Sequence, residues 1–283
     1  MPKFKKVRRN LLFLASGYRK IGNYEIGPWF NWISANQWEG TRLRFDLGTN
    51  TYFNKDLYLH GYLAYGFRDK SFKGKAEAYW IIKRKPNWLR LHAAYTDDVD
   101  NGINQVGEVS QDNIFSLAIR KPNVTRKFIR TRDIRFEVFH ELGKGFSTEW
   151  FIVHRQHTPL QSLPVKSYYP VSGGTPLTNF EVALKLRFAY LERFLETDYF
   201  RTSLGTKYPI VEFMFTKGIK GIFNSAYNYS KYSLAIKDFM KISPYGTLRY
   251  KVYGGLVDGT LPFTLLENHP GNDLFYYSPA SYN

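Results

Sequence analysis

The clearest structural signal in the chain lies between Asn36 and Ile82, where the sequence reads NQWEGTRLRFDLGTNTYFNKDLYLHGYLAYGFRDKSFKGKAEAYWII. Three segments of this stretch alternate apolar with polar residues: Arg42 to Leu47, Leu57 to Phe67 and Phe72 to Ile82. A period of two residues is typical of a β-strand whose two faces meet different surroundings. Short polar turns separate the segments, so the stretch predicts three consecutive strands with charge on one face only.

The alternation alone does not separate a soluble antiparallel sheet from a membrane barrel, because both expose two unlike faces. The segments run to roughly 10 residues, the length of a tilted transmembrane strand, whereas soluble strands more often have about 5 or 6. Aromatic residues make up 18% of the chain, and many lie at segment ends, where a barrel places its aromatic girdles. These features alone leave both classes open.

Composition limits the class further. The 283 residues suffice for one barrel or two small soluble domains. No run approaches the roughly 18 apolar residues of a spanning helix, and the mean hydropathy is -0.40. A barrel strand exposes only alternate residues to lipid, so its average hydropathy stays near neutral. Cysteine is absent, which excludes disulfides, thiolate metal sites and a cysteine nucleophile.

The formal net charge of +16 suggests an anionic partner. Nucleic acid is disfavoured, because basic residues are spread through the alternating segments and no recognition helix, zinc finger or RNA-binding motif is present. A barrel offers two other uses for positive charge, a cationic lumen and contacts with lipid phosphates. We therefore expect outer-membrane lipid as the partner, with other envelope proteins as further candidates.

The N-terminus resembles a signal peptide, but its apolar run, Leu11 to Ala15, is shorter than the roughly 7 to 15 residues that such a peptide needs. A basic turn that enters a first strand is the preferred interpretation. The following stretch, Tyr18 to Trp32, reads as an edge strand broken by Gly22 and Gly27.

The remaining chain predicts further strands, about a dozen in all, as in a mid-sized barrel. These strands are Trp88 to Thr96, Ile114 to Arg120, Ile134 to His140, Phe146 to Val153, Glu181 to Tyr190, Tyr208 to Thr216, Ala226 to Lys237 and Tyr245 to Leu256.

Two stretches between these strands predict loops. The basic stretch Arg120 to Arg135 is interpreted as a solvated loop, with contact to lipid phosphates or another polyanion as the alternative. The Pro- and Gly-rich stretch before Asn179 predicts a long loop that could form a plug or gate. In this strand order, the loops after Thr96 and Arg155 fall on opposite sides of the sheet, so no membrane orientation follows.

Catalytic motifs are missing from the sequence. His154 and His157 are the only neighbouring histidines, and their odd spacing places them on opposite faces of a strand, which is a poor metal site. Glu137, Glu141 and Glu149 could meet across a hairpin as an acid/base set, but they more plausibly balance lumen arginines such as Arg135 and Arg155. We predict no enzymatic activity, no metal and no cofactor.

Several motifs, in order along nearly the whole chain, resemble a known family. They are Asn36-Gln37-Trp38-Glu39-Gly40-Thr41-Arg42, Gly61 to Lys70, Leu186-Arg187-Phe188-Ala189-Tyr190, Gly205-Thr206-Lys207-Tyr208-Pro209, Gly218-Ile219-Lys220-Gly221, Gly259-Thr260-Leu261-Pro262 and Leu266 to Asn272. The succession is similar to outer-membrane barrels of unknown function described as carboxypeptidase-like regulatory domain-containing proteins.

The resemblance implies a bacterial outer-membrane β-barrel, usually preceded by a signal peptide and a small periplasmic β-sandwich. Neither of these is present here, and the family's barrel should continue beyond Asn283. We therefore expect residues 1–283 to be an outer-membrane barrel domain truncated at both ends, with a sheet that could be open. No catalytic or ligand residue of the family carries over.

The sequence thus predicts an all-β, antiparallel transmembrane barrel with a non-enzymatic role in envelope biogenesis or small-solute passage. The alternative is a soluble, basic, β-rich protein that binds polyanions. Six polar residues in or beside the motifs are expected to serve barrel geometry and charge pairing in the lumen. They are Glu39, Arg42, Arg44, Asp69, Arg187 and Lys207.

Overall fold

The structure is a computed structural model, and it describes residues 2–100, 128–160 and 176–266. These residues form one α-helix, fifteen strands and three short 3-10 turns. The helix is α1 (Pro2–Ser16), and the strands are β1 (Arg19–Ile21), β2 (Tyr24–Ile26), β3 (Ile33–Asn36), β4 (Gly40–Thr49), β5 (Leu57–Gly66), β6 (Ser71–Lys83), β7 (Leu89–Asp100), β8 (Ile129–Gly143), β9 (Phe146–Pro159), β10 (Leu177–Ala189), β11 (Arg193–Glu196), β12 (Arg201–Gly205), β13 (Ile210–Gly218), β14 (Tyr229–Ile242) and β15 (Gly246–Asp258).

Thirteen strands form one antiparallel sheet in the order β1-β2-β4-β5-β6-β7-β8-β9-β10-β13-β14-β15. The short strands β2 and β3 share one edge of β4, where β3 pairs with its first residues and β2 with its last. The outermost strands, β1 and β15, do not pair with each other, so the sheet is open. The predicted all-β antiparallel architecture, with about a dozen strands and an open sheet, is confirmed.

The two faces of this sheet have opposite chemistry, as the alternation predicts. On β4 the charged residues Arg42, Arg44 and Asp46 are at most 7% exposed, whereas Phe45 between them is 54% exposed. The same inversion recurs on β8, where Asp133 and its polar neighbours are buried and the apolar side chains between them are exposed. A single sheet can bury only the face around which it curls, so the polar face is the inner one.

The connections divide into two ends of the sheet. We call the first the short-turn end. Here consecutive strands of the large sheet, the wall, are joined by residues 50–56, 84–88, 144–145 and 243–245, and the insert 190–209 carries β11 and β12. At the other, the long-loop end, lie the connections 101–128 and 160–176, together with shorter ones. β11 and β12 form a separate hairpin that the sequence analysis missed.

β7 pairs directly with β8. This corrects the predicted strand order, in which the strand Ile114 to Arg120 lay between them and the two long loops fell on opposite sides of the sheet. The predicted strand Ile114 to Arg120 lies outside the described residues, and nothing separates β7 from β8 in the sheet. Both long connections therefore leave from the same end. The Pro- and Gly-rich segment of the predicted plug or gate lies largely outside the described residues.

The predicted basic loop Arg120 to Arg135 is wrong for its last residues, which are the part that the structure describes. From Ile129 onwards the chain already belongs to β8, where Thr131, Asp133 and Arg135 are buried on the inner face and the residues between them are more exposed. Arg130 and Arg132 instead pair with Asp97 of the neighbouring strand, at 2.7 and 3.0 Å.

The N-terminal segment is helical rather than a turn entering a strand. Its lysine, arginine, leucine and alanine residues favour a helix, and Pro2 suits the first helical position. The helix ends at Gly17, whose φ of +83° is the left-handed conformation that glycine adopts at low cost. Within the described part of the chain, no helix combines the length and apolar character needed to span a membrane. The stretch Tyr18 to Trp32 forms the β1–β2 hairpin and a 3-10 turn instead of a single edge strand.

Candidate functional site

The candidate site is the inner face of strands β4 to β9, where charged and polar side chains replace the apolar core of a soluble protein. The antiparallel registers set their positions, because the residues of a directly opposed pair lie on the same face of the sheet. His60 stands opposite Glu77, and His92 stands opposite Glu137. The polar positions of the period-2 pattern therefore meet one another across the strands.

A first group of charges, which we call the Arg42 cluster, lies at the long-loop end. The Arg42 guanidinium donates two hydrogen bonds of 2.7 Å to the two carboxylate oxygens of Asp98, and a third to Glu39 at 3.1 Å. The Lys73 ammonium bridges Glu39 at 2.7 Å and Asp69 at 2.5 Å. All but Asp69 are buried, so the cluster satisfies buried charges with charge-assisted hydrogen bonds.

Gly66 makes room for the Arg42 cluster. A Cβ atom at this position would lie 2.2 Å from Asp69 Oδ1 and 2.9 Å from Lys73 Nζ. No side chain can be accommodated there without displacing the ion pair. Glycine at position 66 therefore lets the Asp69–Lys73 ion pair lie directly against the backbone of β5.

The Arg42–Asp98 contact measures the curvature of the wall. Arg42 belongs to β4 and Asp98 to β7, three strands away in the sheet. Neighbouring strands lie about 4.8 Å apart, so the two backbones would be separated by roughly 14 Å in a flat sheet. Direct hydrogen bonds between side chains that rise from the same face require a strong curl. The wall is a barrel segment between these strands.

A second group of charges, the histidine belt, crosses the sheet nearer the short-turn end. His60 Nδ1 lies 2.8 Å from Glu77, and its Nε2 lies 3.6 Å from Asp46. His92 bridges Glu77 at 3.2 Å and Glu137 at 2.9 Å. Imidazole and carboxylate groups thus alternate over five strands, from β4 to β8.

Arginine and aspartate extend the belt to β9. Arg135 lies 3.4 Å from Glu137 and 3.2 Å from Asp133, and Asp133 accepts a hydrogen bond of 2.9 Å from Arg155. At the other end of the belt, Arg44 donates to Asp46 at 2.8 Å and its guanidinium lies 3.5 Å from the centre of the Tyr62 ring. Carboxylates and their basic or imidazole partners therefore line the inner face across six strands.

Three of the six residues predicted for the lumen network lie in one cluster. Glu39, Arg42 and Asp69 meet in the Arg42 cluster, and Arg44 is next along β4 in the belt. Sequence reasoning missed Lys73, Asp98, His60 and His92 as members, although all of them except Asp98 occupy the polar positions of alternating segments. Which residues complete each pair depends on register and curvature.

Arg187 lies apart, at the short-turn end of β10. It pairs with Glu192 at 2.6 Å and with Glu212 at 3.3 Å. Burial raises the pKa of Glu192, but the hydrogen bonds from Arg187 and Ser203 outweigh this and hold it below the usual value of a glutamate. Glu192 is therefore the charged carboxylate that anchors the β11–β12 hairpin to the wall.

Lys207 does not join a lumen network in the part of the chain that the structure describes. It is exposed, in the turn between β12 and β13, and forms no ion pair with a described residue. The role of Lys207 in a lumen network stays a prediction, because the motif Gly205 to Pro209 lies in the turn that follows the inserted β11–β12 hairpin.

The three glutamates considered as an acid/base set each contact a basic partner of their own. Glu137 belongs to the histidine belt, Glu141 accepts a hydrogen bond from Arg201 at 2.9 Å, and Glu149 lies 3.8 Å from Lys185. Among the described residues no group of histidine and acidic side chains could hold a metal ion. The arrangement pairs charges and keeps the inner face polar.

Comparisons with known proteins agree with this architecture. Residues 15–280 match the model of the family described as "Family of unknown function (DUF5686) C-terminal domain". No curated protein matches the sequence. The carboxypeptidase-like description stays a prediction, because the family model carries no such wording.

Among solved structures, the chain is similar to the crystal structure of BamA from Haemophilus ducreyi lacking POTRA domains 1-3. The TM-score is 0.50 at 10% sequence identity, over 88% of this chain and 43% of that one. The chain thus spans less than half of the BamA structure that it matches. At this identity the likeness shows the fold alone.

Proposed function

Because the chain belongs to the family of unknown function DUF5686, as its C-terminal domain, we propose its role from its own geometry: it is a non-enzymatic β-barrel of the bacterial outer membrane. The inverted surface is the observation that carries this proposal. The outer face of the curled sheet is a band of exposed apolar side chains. Its members include Leu43, Phe45, Leu63, Phe72, Trp80, Ile134, Trp150 and Leu186.

A soluble protein would bury such a band and expose the charges. Soluble monomers rarely show contiguous apolar patches larger than a few hundred Å², whereas lipid is the solvent that matches an apolar band around a barrel. The strands that carry the band are also long, for example 15 residues in β8 and 14 in β9. Strands of about 9 to 11 residues or more suffice to cross a bilayer when tilted.

The connections support an orientation within the membrane. Barrels of this class have short periplasmic turns and longer extracellular loops. The short-turn end is therefore proposed to face the periplasm, and the connections 101–128 and 160–176 to face outward. In this orientation the Arg42 cluster lies towards the outer surface and the β11–β12 hairpin towards the periplasm.

The interior favours a role in envelope biogenesis over a permanently open channel. Paired charges cover the inner face from β4 to β9, and the hairpin packs Tyr199 against Tyr58 and Trp88 at the periplasmic end. Small-solute passage is the second candidate, and it would require these contacts to open. Outer-membrane lipid is the proposed partner of the apolar band, and other envelope proteins are candidate partners of the loops.

Fractionation of cells that express the complete reading frame tests the membrane assignment. The expected result is a protein in the outer-membrane fraction that needs detergent for extraction and changes gel mobility on boiling. Recovery in the soluble fraction, with polyanion binding that weakens steeply with salt, would instead support the basic binding protein. Conductance of the purified barrel in planar bilayers then separates the two roles, since only passage predicts steady current.

A further inference from the structure

A cavity of about 480 Å³ lies at the short-turn end, between the ends of β8, β9 and β10 and the β11–β12 hairpin. Small-molecule sites typically occupy about 300 to 1,000 Å³, so a compact ligand fits. The cavity is separate from the Arg42 cluster at the opposite end of the wall. None of the functions proposed above requires it.

The lining of the cavity carries an excess of positive charge. Five basic side chains contribute to it, against three carboxylates. Each carboxylate already faces a basic residue: Glu141 lies 2.9 Å from Arg201, Glu192 lies 2.6 Å from Arg187, and the third pairs with a lysine at 3.8 Å. Subtracting three pairs from five cations leaves two, Arg90 and Lys144.

Arg90 is the side chain that points to a ligand. Its Nε atom is buried and has no hydrogen-bond partner in the described part of the chain. The guanidinium instead lies 5.3 Å from the centre of the Tyr79 ring and 5.8 Å from that of Phe139. A buried donor without an acceptor is unfavourable, and more so when it is charged. An anion in the cavity would supply the acceptor once the side chain turns its Nε atom towards the cavity.

The remaining wall of the cavity is aromatic. Trp88, Phe139, Phe146 and Phe194 line it, and Trp88 and Phe194 sandwich the Arg201 guanidinium at 4.7 and 5.1 Å. Aromatic faces and aliphatic stems bind apolar groups, whereas the free cations bind one negative head. We propose that the cavity binds an organic anion with a phosphate head and an apolar body, held by Arg90 and Lys144.

Two sources could supply this chemistry, a soluble phosphate monoester or a membrane lipid with a phosphate head. Titration calorimetry of the detergent-purified full chain with phenyl phosphate, and separately with dihexanoyl phosphatidic acid, distinguishes them. If the ligand is a soluble phosphate monoester, phenyl phosphate should bind more tightly than dihexanoyl phosphatidic acid. If the ligand is a lipid, dihexanoyl phosphatidic acid should bind more tightly. Benzyl alcohol, which lacks the charge, is expected not to bind.

Arg90→Gln tests the proposed contact directly. A charge-assisted hydrogen bond contributes about 1.5 to 3 kcal/mol, so the dissociation constant of the preferred probe should rise about tenfold or more. Lys144 is exposed in the β8–β9 turn, and Lys144→Gln should weaken binding severalfold without disturbing the wall. Arg249→Gln, on the exposed strand β15, is the matched control and should leave binding unchanged.

Each variant is first checked for the mobility shift on boiling, so that loss of the barrel is distinguished from loss of the site. If neither phosphate probe binds the folded wild-type protein, the proposal is wrong. Equal binding by wild type, Arg90→Gln and Lys144→Gln would also overturn it. The membrane assignment is tested separately by fractionation, and either result can stand without the other.

Discussion

Arg42 illustrates how a single side chain holds a barrel interior together. It is surrounded by Asp98 and Glu39, both of which are almost completely buried. The desolvation of three charges is costly, and only the complete set of hydrogen bonds offsets that cost. Removing one partner should therefore be worse than replacing the pair.

We predict that Arg42→Met lowers the free energy of unfolding by about 3 to 5 kcal/mol, because it leaves a buried carboxylate without its counter-charge. The measurement is urea unfolding of the barrel refolded into lipid vesicles. Arg249→Met, on an exposed strand, is the control and should change stability by less than about 0.5 kcal/mol. The double variant Arg42→Met/Asp98→Leu should recover much of the loss. A loss no larger than that of the control would contradict the buried pairing.

The sequence identifies one member of such an ion pair but not its partner. Arg42 and Glu39 stand out because they belong to a motif and to an alternating segment. Asp98 does not, because it lies 56 residues from Arg42 and reaches it only through the curl of four strands. Alternation tells which face a residue occupies, whereas partners across several strands depend on curvature, which no local pattern encodes.

At the scale of the elements, β10 shows the two faces side by side. Leu184 stands between Trp150 of β9 and Phe215 of β13, which extends the apolar band. Lys185, the next residue, lies on the inner face with Glu149 at 3.8 Å. A one-residue step therefore exchanges the apolar outer face for the polar interior.

This difference predicts unequal costs for two neighbouring substitutions. Leu184→Arg places a charge at the middle of the strand on the lipid side and should cost about 2 to 4 kcal/mol. Lys185→Ala removes a half-exposed, weakly paired charge and should cost less than about 1 kcal/mol. Unfolding in vesicles gives both values. Equal losses would refute the assignment of the faces.

Element prediction succeeds where the local signal is strong. The β8–β9 hairpin follows from Gly143, Lys144 and Gly145, since Lys144 and Gly145 both adopt the positive φ that a tight hairpin turn requires. The β11–β12 hairpin was missed, because its strands are four and five residues long and lie between two longer segments. The helix α1 was missed because its basic residues were interpreted as a turn.

The whole molecule is asymmetric. Strands β4 to β9 carry the Arg42 cluster and the histidine belt, whereas β15 is exposed along almost its entire length. From Lys231 to Met240, every residue of β14 is also exposed or half-buried. The open sheet thus has one arc with a packed interior and another with little to pack against.

We predict that the backbone amides of β14 exchange with deuterium earlier than those of β5 to β8, although strands pair with both edges of each. Few buried contacts lower the free energy of local opening. Hydrogen exchange with peptide-level detection in detergent measures this difference within one sample. Uniform protection over all these strands would show that the interior contributes nothing to local stability. The sequence does not reveal the asymmetry, since β14 and β15 alternate much as the other strands do.

The contact between Arg42 and Asp98 also has a mechanical consequence. It connects two strands of the curved sheet, β4 and β7. The sheet cannot flatten between them without first stretching two short hydrogen bonds. Tyr62 of β5 donates a hydrogen bond to the same carboxylate, so a strand between β4 and β7 is also linked to Asp98. The tied arc keeps a fixed radius. Any widening of the barrel must therefore occur around β14 and β15, where few buried contacts hold the sheet.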